Sequence, residues 1–271
     1  PEDYFSSLPG VRKPVTVLFS DIRSFTSRAE KSDVAELVAQ LREYLDAMAE
    51  VVFKHGGVVD KFIGDAVMAV WGNFHSEGVE ADARNATAAA AEMLDRLAEL
   101  NQKWAAAGLE PFEIGIGLNH GEAIFAMMGS EQKQEMTVIG DPVNQAARLE
   151  GLTKKFGVGI IVGEQVAEYA GSDFNLRSLG SVRTKGKEQT AELFGVLGAS
   201  ADAPDPSKAE EMEWVESFHA ALETFRSGDF QSAESQFRTC QSKNSDDRVC
   251  ALYLAHIAAG ETDKSLTMFE K

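Results

Sequence analysis

Two aspartates stand where the chain could hold a metal ion. Asp21 follows the apolar run VTVLF and Ser20, and Asp65 lies in a Gly-Asp turn between two further strand-like runs. Either aspartate alone is typical of an ordinary turn, because Asp is a common turn residue. If the two strands are neighbours in one sheet, the carboxylates meet at one point, and Mg²⁺ prefers carboxylate and phosphate oxygens as ligands. The backbone N–H groups from Ile22 to Thr26 could then bind phosphate oxygens.

The first half of the chain contains the elements that must position these aspartates. A strand is predicted over Val15–Phe19, which delivers the first aspartate to its end. The next segment has apolar residues at the spacing of one helical face, with Ser32 or Asp33 as its cap and Gly56-Gly57 as its end. The elements predicted after it are a hairpin of Val58–Ile63 and Ala66–Trp71 and a helix over about Ala81–Trp104.

The second half adds more strands and one helix. A strand pair is predicted on either side of Asn119-His120-Gly121, since Asn and Gly favour turns. The elements predicted here are strands Phe112–Leu118, Glu122–Met128, Met136–Ile139, Gly159–Val162, Asn175–Leu179 and Thr190–Val196, and a helix Pro142–Phe156. The order β-α-β-β-α-β predicts an α+β fold, a ferredoxin-like core with extra strands, in which helices cover one face of a mostly antiparallel sheet.

The end of the chain has a different composition. Residues 199–208, ASADAPDPSK, predict a linker between a domain of residues 1–198 and a tail of residues 209–271. The tail predicts two helices around a Gly228-Asp229 turn and a third helix over Arg248–Ala259, similar to a tetratricopeptide hairpin with one added helix. One such unit cannot bury its own apolar face, so we expect it to pack on the main domain or on a partner.

Composition excludes several classes of function. The net charge of −17, without any Lys/Arg-rich run, argues against nucleic-acid binding. Cys240 and Cys250 lack metal-ligand spacing, and we expect reduced structural thiols in a cytoplasmic protein. No apolar run reaches the roughly 18–20 residues of a membrane span, and no secretory signal is present. Because the chain starts without Met, we expect it to be a piece of a longer protein.

Five motifs occur in the order and spacing of one known family. They are FSDIRSFT, GGVVDKFIGDAVMAVWG, GIGLNHGEAIFAMMG, TVIGDPVNQAARLE and TKGK. Together they resemble the catalytic domains of class III nucleotidyl cyclases, over about residues 12–197. The resemblance implies a homodimer of head-to-tail subunits that makes cyclic AMP from ATP with two Mg²⁺ or Mn²⁺ ions per site. Each site would combine metal-binding residues of one subunit with base- and transition-state-binding residues of the other.

The resemblance also assigns roles to individual residues. Asp21 and Asp65 match the metal-binding aspartates, and Ile22 matches the residue that lends its backbone carbonyl to a metal. Asn144 and Arg148 match the pair that orients the ribose and stabilises the charged α-phosphate in the transition state. The substrate-binding positions are Lys61 and Thr137 for the base, Phe25 and Thr26 in the phosphate loop, and Lys185 for the terminal phosphates.

The two base-binding positions favour adenine. Adenine presents an acceptor at N1 and a donor at N6, and Lys61 can only donate whereas Thr137 can accept. Guanine reverses the polarity at N1, and guanylyl members of the family typically carry Glu at the lysine position. ATP is therefore the expected substrate, with GTP as the alternative. Thr137 also places the chain in a subgroup that resembles the bicarbonate-responsive cyclases, so bicarbonate stimulation is a further hypothesis.

Two other classes of function fit the sequence less well. A non-catalytic nucleotide-binding module on the same fold would lack at least one of the metal or catalytic side chains, and all four are present. A diguanylate cyclase would need a GGDEF-like turn, and this chain has FIGDA. Two departures from the family pattern are Ser24 in place of Gly, and Glu131-Gln132 where relatives often have Arg. We expect a larger signalling protein with an N-terminal sensor, which could hold this domain at the cytoplasmic side of a membrane.

Overall fold

The computed structural model describes residues 10–130, 132–184, 190–200 and 206–268. These residues form nine strands in one sheet, together with eight helices. The strands are β1 (Val11–Ile22), β2 (Val58–Ile63), β3 (Ala66–Trp71), β4 (Ile114–Gly129), β5 (Gln134–Ile139), β6 (Ile160–Gly163), β7 (Phe174–Thr184), β8 (Ala191–Ala199) and β9 (Leu266–Met268). The helices are α1 (Phe25–Ala29), α2 (Val34–Lys54), α3 (Val79–Ala106), α4 (Asp141–Phe156), α5 (Glu164–Ala170), α6 (Pro206–Ser227), α7 (Phe230–Lys243) and α8 (Arg248–Ala258).

The order of the strands confirms the predicted core. Strands β2, β3, β1 and β4 lie side by side in that order, and each neighbouring pair is antiparallel. With α2 between β1 and β2 and α3 between β3 and β4, this is the ferredoxin-like β-α-β-β-α-β arrangement. The sheet continues beyond β4 through β6, β8, β7 and β9, and β5 pairs with the second half of β4.

Helices cover both faces of the sheet, not the single face that was predicted. Side chains alternate between the two faces along each strand, and the side chains that contact α2 and α3 include Leu18, Val67, Ala69, Ile116 and Leu118. Helix α4 lies on the opposite face, where Gly117 lets its backbone approach the strand and Gly115 makes room for its side chains. The prediction was wrong here because the periodicity of one helix does not record which face of a distant sheet receives it.

Strand β4 is continuous where the sequence predicted two strands and a turn. It pairs with β1 through the whole segment, with Val17 opposite Asn119 and Val15 opposite Gly121. Gly121 is required for close packing, since a Cβ there would lie 2.9 Å from Cγ of Pro142 at the start of α4. His120 is buried within the strand, and its Nδ1 lies 2.9 Å from Oγ1 of Thr16. Gly121 is therefore needed because α4 packs closely against the strand, and it does not form a turn.

The helix cap and the strand hairpin predicted in the first half of the chain are both present in the structure. Asp33 caps α2, because its Oδ1 accepts hydrogen bonds of 3.0 Å from the backbone N–H groups of Ala35 and Glu36. Strands β2 and β3 have the predicted bounds, and Gly64 in the turn between them has a φ of +67°, which glycine adopts at low cost. Two short helices, α1 and α5, and the short strand β9 were not predicted, because none is long enough to show a period.

The three tail helices are confirmed, and they pack against the sheet. Their buried side chains, including Trp214, Phe218 and Phe237, form one cluster with Leu179 and Val182 of β7 and with α4. Strand β9 then adds a parallel partner to the end of β7. Both cysteines are buried and unpaired, and burial raises the pKa of each thiol. None of the described helices has the length and apolar content of a bilayer span.

Candidate active site

Asp21 and Asp65 meet at one end of the central strands. Asp21 is the last polar residue of β1, and Asp65 lies in the turn that leads into the neighbouring strand β3. The two side chains lie close together. Burial, followed by the contact with Asp65 and its negative charge, raises the pKa of Asp21 from 3.8 to about 6. A neighbouring carboxylate disfavours the charged form of Asp21, as would be expected where no cation lies between the two groups.

The aspartate pair is suited to a divalent cation. Oδ2 of Asp65 is buried and has no hydrogen-bond partner, and a buried polar atom without a partner costs free energy. A cation between the carboxylates would satisfy this oxygen and favour the ionised form of both groups. The residues that could hold it are the side chains of Asp21 and Asp65 and the carbonyl of Ile22. Within the described ranges no group of three or more His, Cys, Asp or Glu side chains could hold a metal, and Mg²⁺ commonly keeps water and phosphate ligands.

Glu150 of α4 is a third acidic group in this neighbourhood, and the sequence reasoning gave it no role. Burial, followed by the charge of Asp21, raises its pKa from 4.5 to about 7, while Arg23 acts in the opposite direction. A Cβ added to Gly115 would lie 2.8 Å from Oε1 of Glu150. Since Gly115 is the register partner of Asp21, the glycine makes the space in which this carboxyl approaches the aspartates. In the sequence, the feature that could have indicated this approach is the glycine at position 115, which has no side chain to fill the space.

The segment after Asp21 turns sharply into α1. Ser24 has a φ of +59° and a ψ of +25°, in the left-handed region. That conformation favours glycine, which explains why glycine is the usual family residue where this chain has serine. Phe25 begins the helix, and its ring packs edge-on against Phe112 at 6.1 Å between centroids. The Phe25 ring therefore anchors the loop, and Thr26 beside it is exposed.

The base-binding positions Lys61 and Thr137 come together through a residue that the sequence reasoning overlooked. Oγ1 of Thr137 donates a 2.7 Å hydrogen bond to Oδ2 of Asp60. Nζ of Lys61 lies 3.5 Å from the same oxygen and 3.6 Å from Oε2 of Glu135. Lys61 and Thr137 are on β2 and β5, which are not adjacent strands of the sheet, so no local pattern could have revealed the contact.

The remaining predicted residues lie on α4 or outside the described residues. Asn144 is exposed and Arg148 is half-buried, and their spacing of four places them on the same side of the helix. Glu150 is two residues beyond Arg148, which at about 100° per residue places it on roughly the opposite side. The side of α4 that carries Asn144 and Arg148 is thus turned away from the acidic site of the same chain. Lys185 and Glu131 are outside the described residues.

The chain is similar to known cyclases over its first two thirds. Residues 10–196 match the family described as "Adenylate and Guanylate cyclase catalytic domain". The chain is 33% identical over 198 residues to "Adenylate cyclase 1" of Rhizobium meliloti, covering 72% of this chain and 29% of that protein. It is 34% identical over 186 residues to "Adenylate cyclase" of Anabaena cylindrica, covering 67% of this chain and 36% of that protein. The chain thus spans about a third of these relatives.

Two solved structures are similar over the same part. The adenylyl cyclase CyaB from P. aeruginosa is 31% identical with a TM-score of 0.68, covering 73% of this chain and 100% of that one. The guanylyl cyclase Cya2 is 34% identical with a TM-score of 0.65, covering 72% of this chain and 97% of that one. The family match covers well over half of the sequence and includes every strand from β1 to β7. The chain belongs to the family of adenylate and guanylate cyclase catalytic domains, the class III nucleotidyl cyclases.

Proposed function

We propose that this chain is an adenylyl cyclase, which converts ATP to 3′,5′-cyclic AMP and pyrophosphate. The observation that carries the proposal is the neighbouring pair of Asp21 and Asp65 near the end of β1, with a buried oxygen of Asp65 that has no hydrogen-bond partner. Such a site is poorly satisfied without a cation. Family membership then supports a nucleotide triphosphate as the substrate that brings further oxygen ligands to it.

Asp21, Asp65 and the carbonyl of Ile22 would hold two Mg²⁺ or Mn²⁺ ions. When bound, these ions supply positive charge that favours ionisation of the ribose 3′-hydroxyl and that compensates the triphosphate.

The other residues bind and orient the substrate. The backbone N–H groups at Phe25 and Thr26 bind phosphate oxygens, and Lys185 binds the terminal phosphates. Asn144 holds the ribose so that O3′ attacks the α-phosphorus in line. A bond forms between O3′ and phosphorus, the bond to the bridging oxygen breaks, pyrophosphate leaves, and the hydroxyl proton goes to solvent. Arg148 donates hydrogen bonds to the α-phosphate oxygens as charge develops on them.

The choice of ATP rests on the base-binding side chains. Overall similarity does not distinguish ATP from GTP as the substrate. The adenylyl cyclase structure is 31% identical to this chain, and the guanylyl cyclase structure is 34% identical. Lys61 can donate to N1 of adenine, and Thr137 can accept from the N6 amino group. Guanine carries a hydrogen at N1, which cannot accept from Lys61, and a carbonyl at position 6, which cannot donate to Thr137.

We further propose a homodimer with two composite sites. Asn144 and Arg148 lie on the side of α4 away from the acidic site of their own chain, so they suit the site of a second copy. Large apolar side chains are also exposed near the base-binding strands, where Phe62 is 46% and Ile63 is 53% exposed. A second copy would cover them, and contiguous exposed apolar surface commonly marks an interface.

The wider context of the chain is also a proposal. We assign catalysis to residues 1–198, a linker to residues 199–208, and a non-catalytic role to the tail of residues 209–271. The domain would work on the cytoplasmic side as part of a larger signalling protein with an N-terminal sensor. Bicarbonate stimulation is tested by adding bicarbonate at fixed pH, with chloride at matched ionic strength as the control.

The decisive experiment is product analysis with purified protein. We expect cyclic AMP and pyrophosphate in equal amounts from ATP with Mg²⁺ or Mn²⁺, none in chelator, and much slower turnover of GTP. Specific activity should fall on dilution if the sites are shared between subunits. Absence of a cyclic product under all conditions would overturn the proposal, and equal rates with ATP and GTP would overturn the substrate.

A further inference from the structure

Asp60 occupies an irregular position in β2. The pairing of β2 with β3 shifts by one residue between Val59 and Lys61, so Asp60 is the extra residue of a β-bulge. On a regular strand, successive side chains point to opposite faces, and Asp60 and Lys61 would diverge. Here Nζ of Lys61 lies 3.5 Å from Oδ2 of Asp60. The bulge therefore brings both side chains together on one side of β2, and bulges next to active sites often re-aim side chains in this way.

The hydrogen bond from Thr137 to Asp60 determines what Thr137 can offer to a ligand. A hydroxyl has one proton and two lone pairs, whereas an ionised carboxylate can only accept. The Asp60 side chain is 2% exposed, so water does not compete readily for its oxygens. Because the Thr137 proton is committed to Asp60 at 2.7 Å, only the lone pairs of this hydroxyl are left for a bound base.

The same carboxylate also restrains the lysine. Lys61 has two carboxylates within 4 Å, but the Glu135 side chain is 50% exposed and its contact of 3.6 Å is open to solvent. Asp60 is the buried anchor of the two. Oδ2 of Asp60 thus contacts both Lys61, which can only donate, and Thr137, whose hydroxyl it leaves able only to accept.

We propose that Asp60 is a positioning residue that sets the base selectivity of this site. By accepting the hydroxyl proton of Thr137, it converts a residue that could bind either purine into one that binds an amino group at position 6. Without Asp60 the hydroxyl could rotate and donate to a carbonyl at that position. This inference rests on the proposed cyclase function. It adds the reason why Thr137, whose hydroxyl can also donate, distinguishes an amino group from a carbonyl at position 6 of the base.

The test compares ATP with ITP, whose base has a carbonyl at position 6 and a hydrogen at N1. Asp60→Asn keeps the shape of the side chain but supplies an amide that can donate to Oγ1 of Thr137. We expect the ratio of kcat/KM for ATP to that for ITP to fall about tenfold, the value of one hydrogen bond. In a Thr137→Val background, Asp60→Asn should leave the ratio unchanged, because no hydroxyl remains to be oriented.

Two controls separate positioning from general damage, and a second variant replaces Asp60→Asn if that protein does not fold. Asp46→Asn, at an exposed position of α2, should leave the ratio unchanged, and Asp60→Glu should retain more selectivity than Asp60→Asn. If Asp60→Asn does not fold, as judged by thermal unfolding, Asp60→Ala makes the same measurement, since it also frees the hydroxyl proton.

Each outcome decides the question. Equal losses with ATP and ITP in the Asp60 variant, or an equal change of ratio in the Thr137→Val background, would overturn the inference while leaving the cyclase function intact. A wild-type protein that cyclises neither nucleotide would overturn the proposed function and this inference with it.

Discussion

The carboxyl group of Asp65 lies close to that of Asp21 and contributes, after burial, to the raised pKa of Asp21, although the two residues belong to different segments of the sheet. Antiparallel pairing of β1 with β3 brings the end of one strand beside the start of the other. Two neighbouring carboxylates cannot both be ionised at low cost without a cation. A divalent metal between them would remove that cost.

Replacing Asp65 should remove metal binding without unfolding the chain. Asp65→Asn keeps the shape of the side chain but loses one negative charge from the cation site. We expect at least a 100-fold loss of cyclic AMP formation, the usual scale for transition-state charge stabilisation, and loss of the thermal stabilisation that Mn²⁺ gives the wild type. Asp46→Asn, an exposed change of equal charge on α2, should retain both properties. Mn²⁺ stabilisation of the Asp65 variant equal to that of the wild type would contradict the assignment.

Stability in chelator should depend on pH through Asp21. Its folded-state pKa of about 6 lies above the ordinary 3.8, so between these values the folded protein holds a proton that the unfolded chain has released. Raising the pH through this window therefore lowers the free energy of unfolding. Asp21→Asn has no such proton, and we expect it to become more stable relative to wild type from about pH 4 to 6, then to level off. Urea titrations in chelator measure this difference, and parallel curves for the two proteins would refute it.

Mixing two inactive variants should restore activity if the sites are shared. Asp65→Ala removes a metal ligand and Arg148→Ala removes the transition-state contact from the other half of the site. In a heterodimer one site receives both defects and the other receives neither. Random pairing places half of the dimers in this form, so about a quarter of wild-type activity should return. No recovery over a wide range of mixing ratios would mean that each chain carries its own complete site.

Gly117 should be intolerant of even a methyl group. A Cβ there would lie 2.2 Å from the carbonyl oxygen of Ala146 and from the backbone nitrogen of Glu150, both in α4. Since backbone atoms cannot move aside alone, Gly117→Ala should displace the helix that carries Asn144 and Arg148. We expect a loss of about 3 kcal/mol in the free energy of unfolding and reduced turnover.

Gly151 provides the matched control for that substitution. It lies within α4, and an added Cβ would meet nothing within 4 Å. Gly151→Ala should stabilise the protein by up to about 1 kcal/mol, because alanine has the higher helix propensity. Chemical denaturation of both variants makes the comparison, and similar effects of the two changes would exclude the close approach of α4 to β4.

The tail is fastened to the sheet by a buried ion pair. Arg177 of β7 contacts Asp247, at the start of α8, through two hydrogen bonds of 2.5 and 3.0 Å, and its guanidinium stacks 4.0 Å from the centroid of the Phe218 ring. Burial alone would raise the pKa of Asp247, but the hydrogen bond and charge of Arg177 hold it below its usual range. Asp247→Ala leaves the arginine charge buried and removes a helix cap, so we expect a loss of about 3–5 kcal/mol.

The control for this change is an exposed ion pair in the same tail. Glu234 and Arg238 are paired at 2.7 Å on the surface of α7, and Glu234→Ala should cost less than about 1 kcal/mol. The difference between the urea midpoints of Asp247→Ala and Glu234→Ala measures how much burial adds to the cost of breaking an ion pair. A double change of Arg177 and Asp247 to apolar residues should be milder than Asp247→Ala alone, since it leaves no buried charge without a partner.

The sequence predicted most elements because their signals are local. The apolar runs of β2 and β3, the Gly64-Asp65 turn and the cap at Asp33 each depend on residues within a few positions of one another, and the structure contains all of them. The same local reading failed at Gly121, which resembles a turn residue. What decides that position is the contact with Pro142 of α4, and no short window contains both residues.

The sequence alone thus determined the chemistry that this protein has available: two carboxylates at strand ends, a donor-only lysine and the helix of Asn144 and Arg148. Only the tertiary structure decided how these groups act together. It placed Asp65 beside Asp21, added Glu150 to their surroundings, and joined Lys61 to Thr137 through Asp60. The physical reason is that hydrogen bonding and desolvation depend on distance and burial in space, which are set by strand register, by a bulge and by the glycines that admit α4.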